Sequence, residues 1–322
     1  MREHIANVFS DIHIHDYNQY NPDNRRLKLK FDILRDLVKD SKPLLFCGDF
    51  FHEDQHISNK VLDYGSRELP QIFNDNIGHR LIGISGNHEM NELNKWGTQS
   101  PSLFRSICNL VEGMYCIDFR QYAISGDIIV FGIPYINYNE GLNEVIEMFS
   151  IHPAYREYKH RILLIHSDLH GAKDTDGRKI GSVENIDNDM DKFFGLFDLV
   201  FCGHIHKPQR ITKKVIMVGA PDQQRKSDMG GKFGYWKLYS DMSYEFVQLK
   251  YPEFKTYDPA KDEIDDFHYW VPVNSEKEED LLYEEKKFTN TVSRQMLAKR
   301  YCKEKGIKDK KKINALKEVL ND

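Results

Sequence analysis

The sequence has few cysteines, and they are not spaced as metal-binding or redox pairs usually are. It contains no Cys-x-x-Cys motif among its five cysteines, which are Cys47, Cys108, Cys116, Cys202 and Cys302. An odd, scattered set of this kind argues against a disulfide-stapled scaffold and against a zinc site built from cysteines. We therefore expect reduced and mostly buried thiols.

Long hydrophobic runs are also missing. No apolar stretch approaches the roughly 18 residues that a membrane-spanning helix needs. At the start of the chain, Arg2, Glu3 and His4 precede only the short run VFS, which does not resemble a secretory signal. We expect a cytoplasmic protein that does not associate with a membrane.

The chain lacks both an excess of positive charge and a phosphate-binding loop. Its net charge of −5 argues against a basic protein that coats nucleic acid. It has no G-x-x-x-x-G-K-[ST] motif, so that ATP, if it is used, must be bound by another chain. The charge is unevenly distributed, because residues 286–317 carry twelve Lys or Arg against two acidic residues.

Short apolar runs alternate with helical patterns over the first 220 residues. The predicted strands are 5–9, 43–47, 80–84, 127–133, 161–165, 199–202 and 214–219. A helical pattern between the first two strands places Leu27, Phe31, Leu34 and Val38 on one face. This alternation predicts an α/β layered domain, and strands that are apolar at every position suit a sheet covered on both faces.

The remaining third of the chain is predicted to be built differently. Residues 232–250 have the pattern of two strands around a turn, and the Pro- and aromatic-rich segment 251–274 is predicted to be irregular. Apolar residues recur at helical spacing in residues 288–296 and 313–320, which predicts two amphipathic helices. We therefore divide the chain into a core at 1–225, final strands with a small capping or linker region at 226–274, and a helical tail at 275–322.

Five of the predicted strands end in polar side chains that can bind metal ions. The strand-end motifs are DIH with Asp11 and His13, GDFFH with Asp49 and His52, GNHE with Asn87 and His88, the lone His166, and GHIH with His204 and His206. Taken singly, each has an ordinary explanation as a helix cap, a turn or a hydrogen-bonded histidine. Because ligands bind at the carboxyl edge of such sheets, five together predict a functional site.

The residue types indicate which chemistry this site performs. Mixed oxygen and nitrogen donors without thiolate suit Mn, Fe or Zn. Seven candidate ligands are too many for one tetrahedral ion, and they predict two ions, which together clamp a phosphate and stabilise an in-line displacement. A neutral Asn among the ligands keeps the site cationic, which favours an anionic substrate such as a phosphoester.

The five motifs together resemble those of the calcineurin-like metallophosphoesterase superfamily, over residues 5 to about 222. The resemblance implies a four-layer αββα sandwich, here followed by a short β or irregular region and the helical tail. It implies two divalent metal ions, Mn²⁺ first, with Fe, Mg or Zn as alternatives. It assigns one ion to Asp11, His13 and His206, the other to Asn87, His166 and His204, and a bridging role to Asp49. Glu89, where Asp is commoner, is expected to support the site without binding metal.

The resemblance also implies the catalytic residues and a branch of the family. His88 would contact the phosphate and protonate the leaving oxygen. His52, three residues after Asp49, and the block VGAPDQQRKSDMGGKFGYWKL are similar to SbcD-type double-strand-break repair nucleases, which makes His52 the second implied catalytic residue. The C-terminal helix pair resembles the segment with which that branch binds the coiled coil of its SbcC-type, SMC-like ATPase. The small size is most similar to bacteriophage members, which implies a bacterial or phage-infected host cell.

Three functions follow as hypotheses. The first is a metal-dependent DNA exo- and endonuclease, the catalytic subunit of an ATPase–nuclease complex for DNA end processing, repair or recombination. The second is a small-molecule phosphodiesterase or protein phosphatase on the same scaffold. The third is a non-catalytic scaffold, against which the intact ligand set and His88 argue.

Some assignments stay open at the level of sequence. His166 is preferred to His170 as the fourth motif because of its strand position, and His15 either adds a polar contact at the site or faces solvent. Basic residues that could meet DNA phosphates are Arg25, Arg26, Lys28, Lys30, Lys207 and Arg210. A homodimer through segments 56–74 and 98–112 is a further expectation, although core packing explains the apolar stripe of Leu62, Leu69, Ile72 and Phe73 equally well.

Overall fold

The computed structural model describes residues 2–16, 25–52, 57–90, 102–136, 145, 148–169, 171–173, 177, 194–258, 261–263 and 267–272. The chain divides into two units, Met1–Val273 and Asn274–Asp322. The described residues all belong to the first unit. The predicted helical tail lies outside the described residues, and the predicted domain boundaries stay predictions.

The described residues form fourteen strands and three longer helices. The strands are β1 His4–Phe9, β2 Leu44–Phe46, β3 Leu81–Gly83, β4 Met114–Cys116, β5 Gln121–Ala123, β6 Ile128–Ile133, β7 His160–His166, β8 Leu199–Gly203, β9 Gln209–Arg210, β10 Val215–Met217, β11 Gly234–Tyr239, β12 Tyr244–Gln248, β13 Phe254–Tyr257 and β14 Tyr269–Pro272. The helices are α1 Arg25–Val38, α2 Asn59–Ile72 and α3 Leu103–Cys108. A short helix, Pro153–Glu157, precedes β7. All seven predicted strands of the core are present, as are the predicted helix 27–38 and the predicted strand pair within 232–250.

Most of the strands belong to two six-stranded sheets. The first sheet has the order β12-β11-β1-β2-β3-β4, with β1 to β4 parallel and β11 antiparallel to β1. The second has the order β5-β6-β7-β8-β10-β9, with β6, β7, β8 and β10 parallel and antiparallel strands at both edges. The parallel strands of each sheet therefore end at one common edge.

The two sheets pack face to face, and alternate residues of each strand point to opposite layers. Ala6 and Val8 of β1 share one apolar cluster with Val130 of β6 and Leu164 of β7. The neighbouring Phe131 of β6 belongs to a second cluster on the other side of its sheet. Because both faces of each sheet are buried, the strands need apolar residues at every position. The result is the predicted αββα sandwich.

The helices cover the first sheet with the faces that the sequence pattern predicts. Leu27, Phe31 and Leu34 of α1 are fully buried against that sheet. Helices α2 and α3 begin at Ser58 and Ser102, whose hydroxyls accept hydrogen bonds from main-chain N–H groups of the first turn. Among the described helices, none is long and apolar enough to cross a membrane.

The apolar stripe of α2 is largely used inside this chain. Leu69, Ile72 and Phe73 are buried in the core beside the first sheet, whereas Leu62 is 50% exposed. Core packing therefore explains three of the four apolar residues that a dimer interface on this helix would use. The homodimer stays a prediction.

The segment 251–274 was predicted to be irregular, and this is wrong for part of it. Strands β13 and β14 pair in parallel, with Phe254 opposite Tyr269. Both side chains are buried, and their rings lie 5.2 Å apart. The prediction failed because these short strands are stabilised by each other and by Arg26 of α1, whose guanidinium lies over both rings. Contacts over such sequence distances leave no local pattern.

The cysteines are free thiols in the described residues, as expected. Cys47 is buried between the sheets, Cys202 is buried on the outer side of the second sheet, and Cys108 and Cys116 are partly buried. Burial raises the pKa of all four thiols. They are therefore protonated and unreactive at neutral pH, and Cys302 lies outside the described residues.

Candidate metal centre

The nine predicted site residues lie together at the carboxyl edge of the two sheets. They follow β1, β2 and β3 of the first sheet, and they end or follow β7 and β8 of the second. Three groups of metal-capable side chains have ligand atoms within 4.8 Å of one another: Asp11, His13 and His206; Asp49, His166 and His204; and His13, His52 and His88. Asn87 joins the second group through its side-chain oxygen.

The backbone at this edge is unusual. Asp11, His13, Asp49 and His204 have positive φ angles of 52°, 47°, 61° and 91°. Non-glycine residues rarely adopt such angles, because the side chain then approaches the backbone. Four of the seven such residues in the described chain are thus predicted metal ligands. Strain concentrated at one place is typical of a functional site.

Glycines precede several of the motifs because the strand ends approach one another closely. A Cβ atom at Gly86 would lie 2.0 Å from Oδ1 of Asp49, and one at Gly203 would lie 2.2 Å from the carbonyl oxygen of Cys47. Neither position has room for a side chain. Gly86 therefore allows two strand ends of the first sheet to meet, and Gly203 allows the second sheet to approach the first.

Asp11, His13 and His206 form what we call the first half-site. Nε2 of His13 lies 3.9 Å from Oδ1 of Asp11 and 3.2 Å from Nε2 of His206. Two ring nitrogens that face each other at this distance, beside a carboxylate, converge on a common point. Burial lowers the pKa of His13 well below its ordinary value. A neutral imidazole is the form that binds a metal ion.

Asn87, His166 and His204 form the second half-site. Oδ1 of Asn87 lies 2.9 Å from Nε2 of His166 and 2.8 Å from Nδ1 of His204. Nδ1 of His166 lies 2.7 Å from the carbonyl oxygen of Cys47, to which it donates, since a carbonyl can only accept. Nε2 of His166 therefore faces the centre of the cluster.

Asp49 lies between the two half-sites. Its Oδ2 is 3.8 Å from Nε2 of His13 and 3.2 Å from Nε2 of His166, while Oδ1 accepts a hydrogen bond of 3.0 Å from the main-chain N–H of His88. Burial alone would raise the pKa of Asp49, but His166 and His88 outweigh it and hold the pKa well below its ordinary value. Burial opposes protonation of His166, yet Asp49 raises its pKa to about 9. An anionic carboxylate at this point can serve both half-sites.

His88 and His52 lie together beside this carboxylate. Nδ1 of His88 is 2.6 Å from the carbonyl oxygen of His52, and the two rings stack with centroids 4.9 Å apart. Because Nδ1 of His88 must donate to that carbonyl, Nε2 is the atom that faces the cluster, 4.0 Å from Oδ2 of Asp49. Nδ1 of His52 lies 3.3 Å from Nδ1 of His13. Nε2 of His88 is thus directed toward Asp49, between the two half-sites.

Carboxylates behind the cluster hold its backbone and its histidines. Glu89 accepts hydrogen bonds from the main-chain N–H groups of Asp49, Phe51 and Gly86, as its expected supporting role requires. Two further carboxylates were missed by sequence reasoning. Asp228 lies 3.6 Å from Nδ1 of His206, and Asp168 lies 3.4 Å from Nε2 of His204. No local pattern marks them, because each reaches its histidine only through the fold.

His15 and His166 both lie at the site. The ring of His15 is partly buried and meets the ring of His52 edge-on, with centroids 5.1 Å apart. It therefore extends the histidine cluster. His166 is the last residue of β7, as preferred, and His170 lies outside the described residues.

Two of the basic residues suggested for DNA contact are not on the surface. Arg26 is 1% exposed and Lys30 is fully buried, so that the prediction was wrong for both. The helical pattern misled because the two residues flank the apolar face of α1 and are covered by the segment after β10. Lys28, Lys207 and Arg210 are exposed, and Arg25 is partly so.

The donor set fits divalent metal ions. It combines carboxylate oxygens, an amide oxygen and imidazole nitrogens, which suit Mn, Fe or Zn. The ring nitrogens of His13 and His206 that face each other in the first half-site, and the amide oxygen between two imidazoles in the second, each converge as ligands do. These residues can therefore hold metal ions, and the imidazole of His88 lies beside them.

Comparison with known proteins supports this interpretation. The family model for Calcineurin-like phosphoesterase matches residues 7–208. Two curated relatives are SbcD subunits of the nuclease SbcCD: the Staphylococcus epidermidis protein is 33% identical over 66% of this chain and 61% of its own length, and the Staphylococcus saprophyticus protein is 26% identical over 54% and 48%. The chain thus spans about half to three fifths of these relatives. A solved structure from Thermus thermophilus has a TM-score of 0.40 at 11% identity, covering 76% of this chain and 98% of its own, which is too distant to carry an inference.

Proposed function

The chain belongs to the calcineurin-like phosphoesterase family, and on that premise we propose that it is a metal-dependent DNA nuclease that hydrolyses phosphodiester bonds. The observation that carries the proposal is the position of Asp49 between two groups of metal-capable side chains, with His88 and His52 beside it. The resemblance to the staphylococcal SbcD proteins supports DNA as the substrate over other phosphoesters.

The proposed ligands follow from the two half-sites. Asp11, His13 and His206 would hold one ion, Asn87, His166 and His204 the other, and Asp49 would contact both. When bound, two divalent ions supply Lewis-acid charge beside the phosphate, and Mn²⁺ is the ion that we expect first. The side chains of this protein contribute a rigid and buried frame, in which Glu89 holds the backbone of Asp49 and Gly86.

His88 is the proposed general acid. Its Nδ1 proton is held by the carbonyl of His52, so that Nε2 can donate a second proton toward the site. In DNA hydrolysis the leaving group is a sugar hydroxyl, a poor leaving group that gains much from protonation. His52 stacks on this ring and is proposed to orient it.

The cellular partners are proposed by resemblance. A chain without its own ATP-binding loop would act with an SbcC-type, SMC-like coiled-coil ATPase, through the predicted helical tail at 275–322. Such a complex would process DNA ends in repair or recombination, in the cytoplasm of a bacterial or phage-infected cell. A homodimer is proposed on the same ground.

A hydrolysis assay with three substrates tests the proposed function. Purified protein with Mn²⁺ is given end-labelled linear DNA, bis-p-nitrophenyl phosphate and a phosphopeptide. We expect hydrolysis of DNA and of the small diester by the wild type and loss of both in His166→Asn. His160→Asn is the matched control, since His160 lies at the opposite end of the same strand, and it should keep both activities.

The pattern across substrates decides between the hypotheses. Hydrolysis of the small ester or the phosphopeptide without DNA cleavage, even after an SbcC-type ATPase is added, would favour the phosphodiesterase or phosphatase alternative. If none of the three substrates were hydrolysed, the non-catalytic scaffold would be the remaining hypothesis.

A further inference from the structure

A buried ion pair lies behind the first half-site. Lys30 of α1 is fully buried and Asp222 is 3% exposed. Nζ of Lys30 donates to Oδ1 and Oδ2 of Asp222 at 2.7 and 2.8 Å and to Oε1 of Gln224 at 2.8 Å. We call these three residues the Lys30 network. Buried ion pairs contribute little net stability, because removing two charges from water is costly.

The amide of Gln224 has a defined orientation, with its oxygen toward Lys30 and its nitrogen toward Asp222 and Asp11. An ammonium group can only donate, so that the atom of Gln224 that faces it must be the oxygen. The amide nitrogen then points the other way, where it donates to Oδ1 of Asp222 at 2.9 Å and to the main-chain oxygen of Asp11 at 3.3 Å. The acceptors on Asp222 and Asp11 require the same orientation, so that the lysine and these oxygens together hold the amide in place.

Through Gln224 the network reaches a predicted metal ligand with a strained backbone. Asp11 has a φ of 52°, and its N–H donates to the carbonyl oxygen of Gly48 at 2.9 Å. Its carboxylate accepts from the main-chain N–H of His204, with both oxygens at 3.2 Å. The hydrogen bond from Gln224 to the Asp11 carbonyl holds the other side of the same residue.

The network also reaches the histidine of the first half-site. The main-chain N–H of Gln224 donates to Oδ2 of Asp228 at 2.8 Å, and this carboxylate lies 3.6 Å from Nδ1 of His206. Arg26, one turn before Lys30 on α1, donates to the carbonyl oxygens of Gln223 and Gln224. Two cations of one helix thus fix the loop that carries Gln224 and Asp228.

We propose that Lys30, Asp222 and Gln224 are positioning residues that fix Asp11 and His206, and that they set the metal affinity of the first half-site. The inference rests on the proposed function only in taking the two half-sites as metal sites. Groups that orient metal ligands change metal affinity about 10- to 100-fold when they are removed. The second half-site is fixed through other groups, such as the Cys47 carbonyl on His166. The effect should therefore fall on one ion.

The test measures Mn²⁺ binding to the metal-free protein by isothermal titration calorimetry, together with the electron paramagnetic resonance signal of paired Mn²⁺ ions. The double variant Lys30→Met/Asp222→Leu removes both members of the ion pair together, so that neither is left buried without the other. Gln224→Met is a second variant that keeps the ion pair. Both should weaken one of two Mn²⁺ sites about tenfold or more, weaken the paired signal at limiting Mn²⁺, and leave the other site unchanged.

Three further variants make the result specific. His206→Asn and His166→Asn mark the loss of the first and the second half-site. Val38→Ala, a buried residue at the far end of α1, controls for general loosening of the helix and should keep both affinities. Thermal unfolding of each metal-free variant confirms that it is folded.

The outcomes separate this inference from the proposed function. A wild type that binds two Mn²⁺ ions, with network variants that bind both equally well, would overturn the inference and leave the nuclease proposal intact. Equal weakening of both sites would also overturn it, since a merely structural role predicts that result. If the wild type bound no Mn²⁺, both the inference and the proposed function would be contradicted.

Discussion

The two half-sites are held in place by different kinds of contact. In the second half-site, His166 is oriented by the main-chain carbonyl of Cys47, at the end of strand β2 in the other sheet. In the first, the main chain of Asp11 is held by the side chain of Gln224, 213 positions away in the sequence. Both half-sites lie at strand ends, and the first has in addition a side-chain contact from the loop after β10.

This difference means that the two half-sites can be disturbed separately. A main-chain carbonyl persists whatever side chain is substituted, whereas a side-chain contact disappears with one substitution. Variants outside the ligand set should therefore affect the first half-site more than the second.

The largest effect is expected at Asp49, which lies between the two half-sites. Asp49→Asn keeps an oxygen for the N–H of His88 but removes the charge that faces both His13 and His166. We expect the hydrolysis of bis-p-nitrophenyl phosphate to fall about 1000-fold or more, and Mn²⁺ affinity to fall in both half-sites. Asp63→Asn, at an exposed pair on α2, is the control. If Asp49→Asn weakened only one Mn²⁺ site, the carboxylate would not join the two.

A second variant should spare both half-sites and still impair catalysis. His88→Asn removes the proposed general acid, so that DNA cleavage should slow about 10²- to 10⁴-fold. Bis-p-nitrophenyl phosphate should be affected much less, because p-nitrophenolate leaves without protonation. Mn²⁺ binding by calorimetry should stay unchanged. His79→Asn, a partly buried histidine bonded to the carbonyl of Ile72, is the control. Equal losses on the two substrates would argue against a proton-donating role.

Two outer carboxylates offer a direct comparison of the halves. Asp228 is buried beside His206, and Asp168, with a side chain 58% exposed, lies beside His204. Asp228→Asn should weaken Mn²⁺ binding in the first half-site about tenfold. Asp168→Asn should weaken the second less than about fivefold, since solvent screens an exposed pair. Calorimetric titration of both variants with Mn²⁺ measures these two losses of affinity. A larger loss in Asp168→Asn than in Asp228→Asn would reverse the comparison.

The same contrast explains how much the sequence could reveal. The sandwich was predictable because apolar residues at successive positions, such as Ile129, Val130 and Phe131, face different layers of one fold. The clustering of the nine predicted site residues was predictable because parallel strands end at a common edge, where the motifs lie. The pairing of β13 with β14 was not, since it depends on contacts with α1.

The residues that hold the first half-site in place could not be predicted from the sequence, for the same physical reason. Arg26 and Lys30, four positions apart on a helix, have the spacing of ordinary surface charges. Their burial depends on the loop after β10 folding over them, which local pattern does not encode. Asp228 belongs to a block that the family resemblance marked, but its contact with His206 is visible only in the fold.

The smallest effect concerns the stability of the Lys30 network. Burial lowers the pKa of Lys30 to about 8, from an ordinary value of 10.5. Between these values the unfolded chain keeps a proton that the folded chain has lost, so that this lysine adds stability as pH rises from 8 toward 10.5. That contribution disappears again as the pH falls through 8. At neutral pH the buried ammonium therefore costs stability.

Comparison with the apolar double variant isolates this contribution. Lys30→Met/Asp222→Leu should be at least as stable as the wild type at pH 7. Above pH 8 the free energy of unfolding of the wild type should increase relative to that of the variant, by about 1.4 kcal/mol for each pH unit. Urea denaturation of the metal-free proteins at pH 7 to 9.5 measures the difference in the free energy of unfolding, in which all other titrating groups cancel.

The control is Val38→Ala, whose difference from the wild type should not change with pH. If the difference for the double variant were also independent of pH, Lys30 would not titrate in this range. A network that lowers stability at neutral pH while it tightens one metal site would be retained for the site and not for the fold.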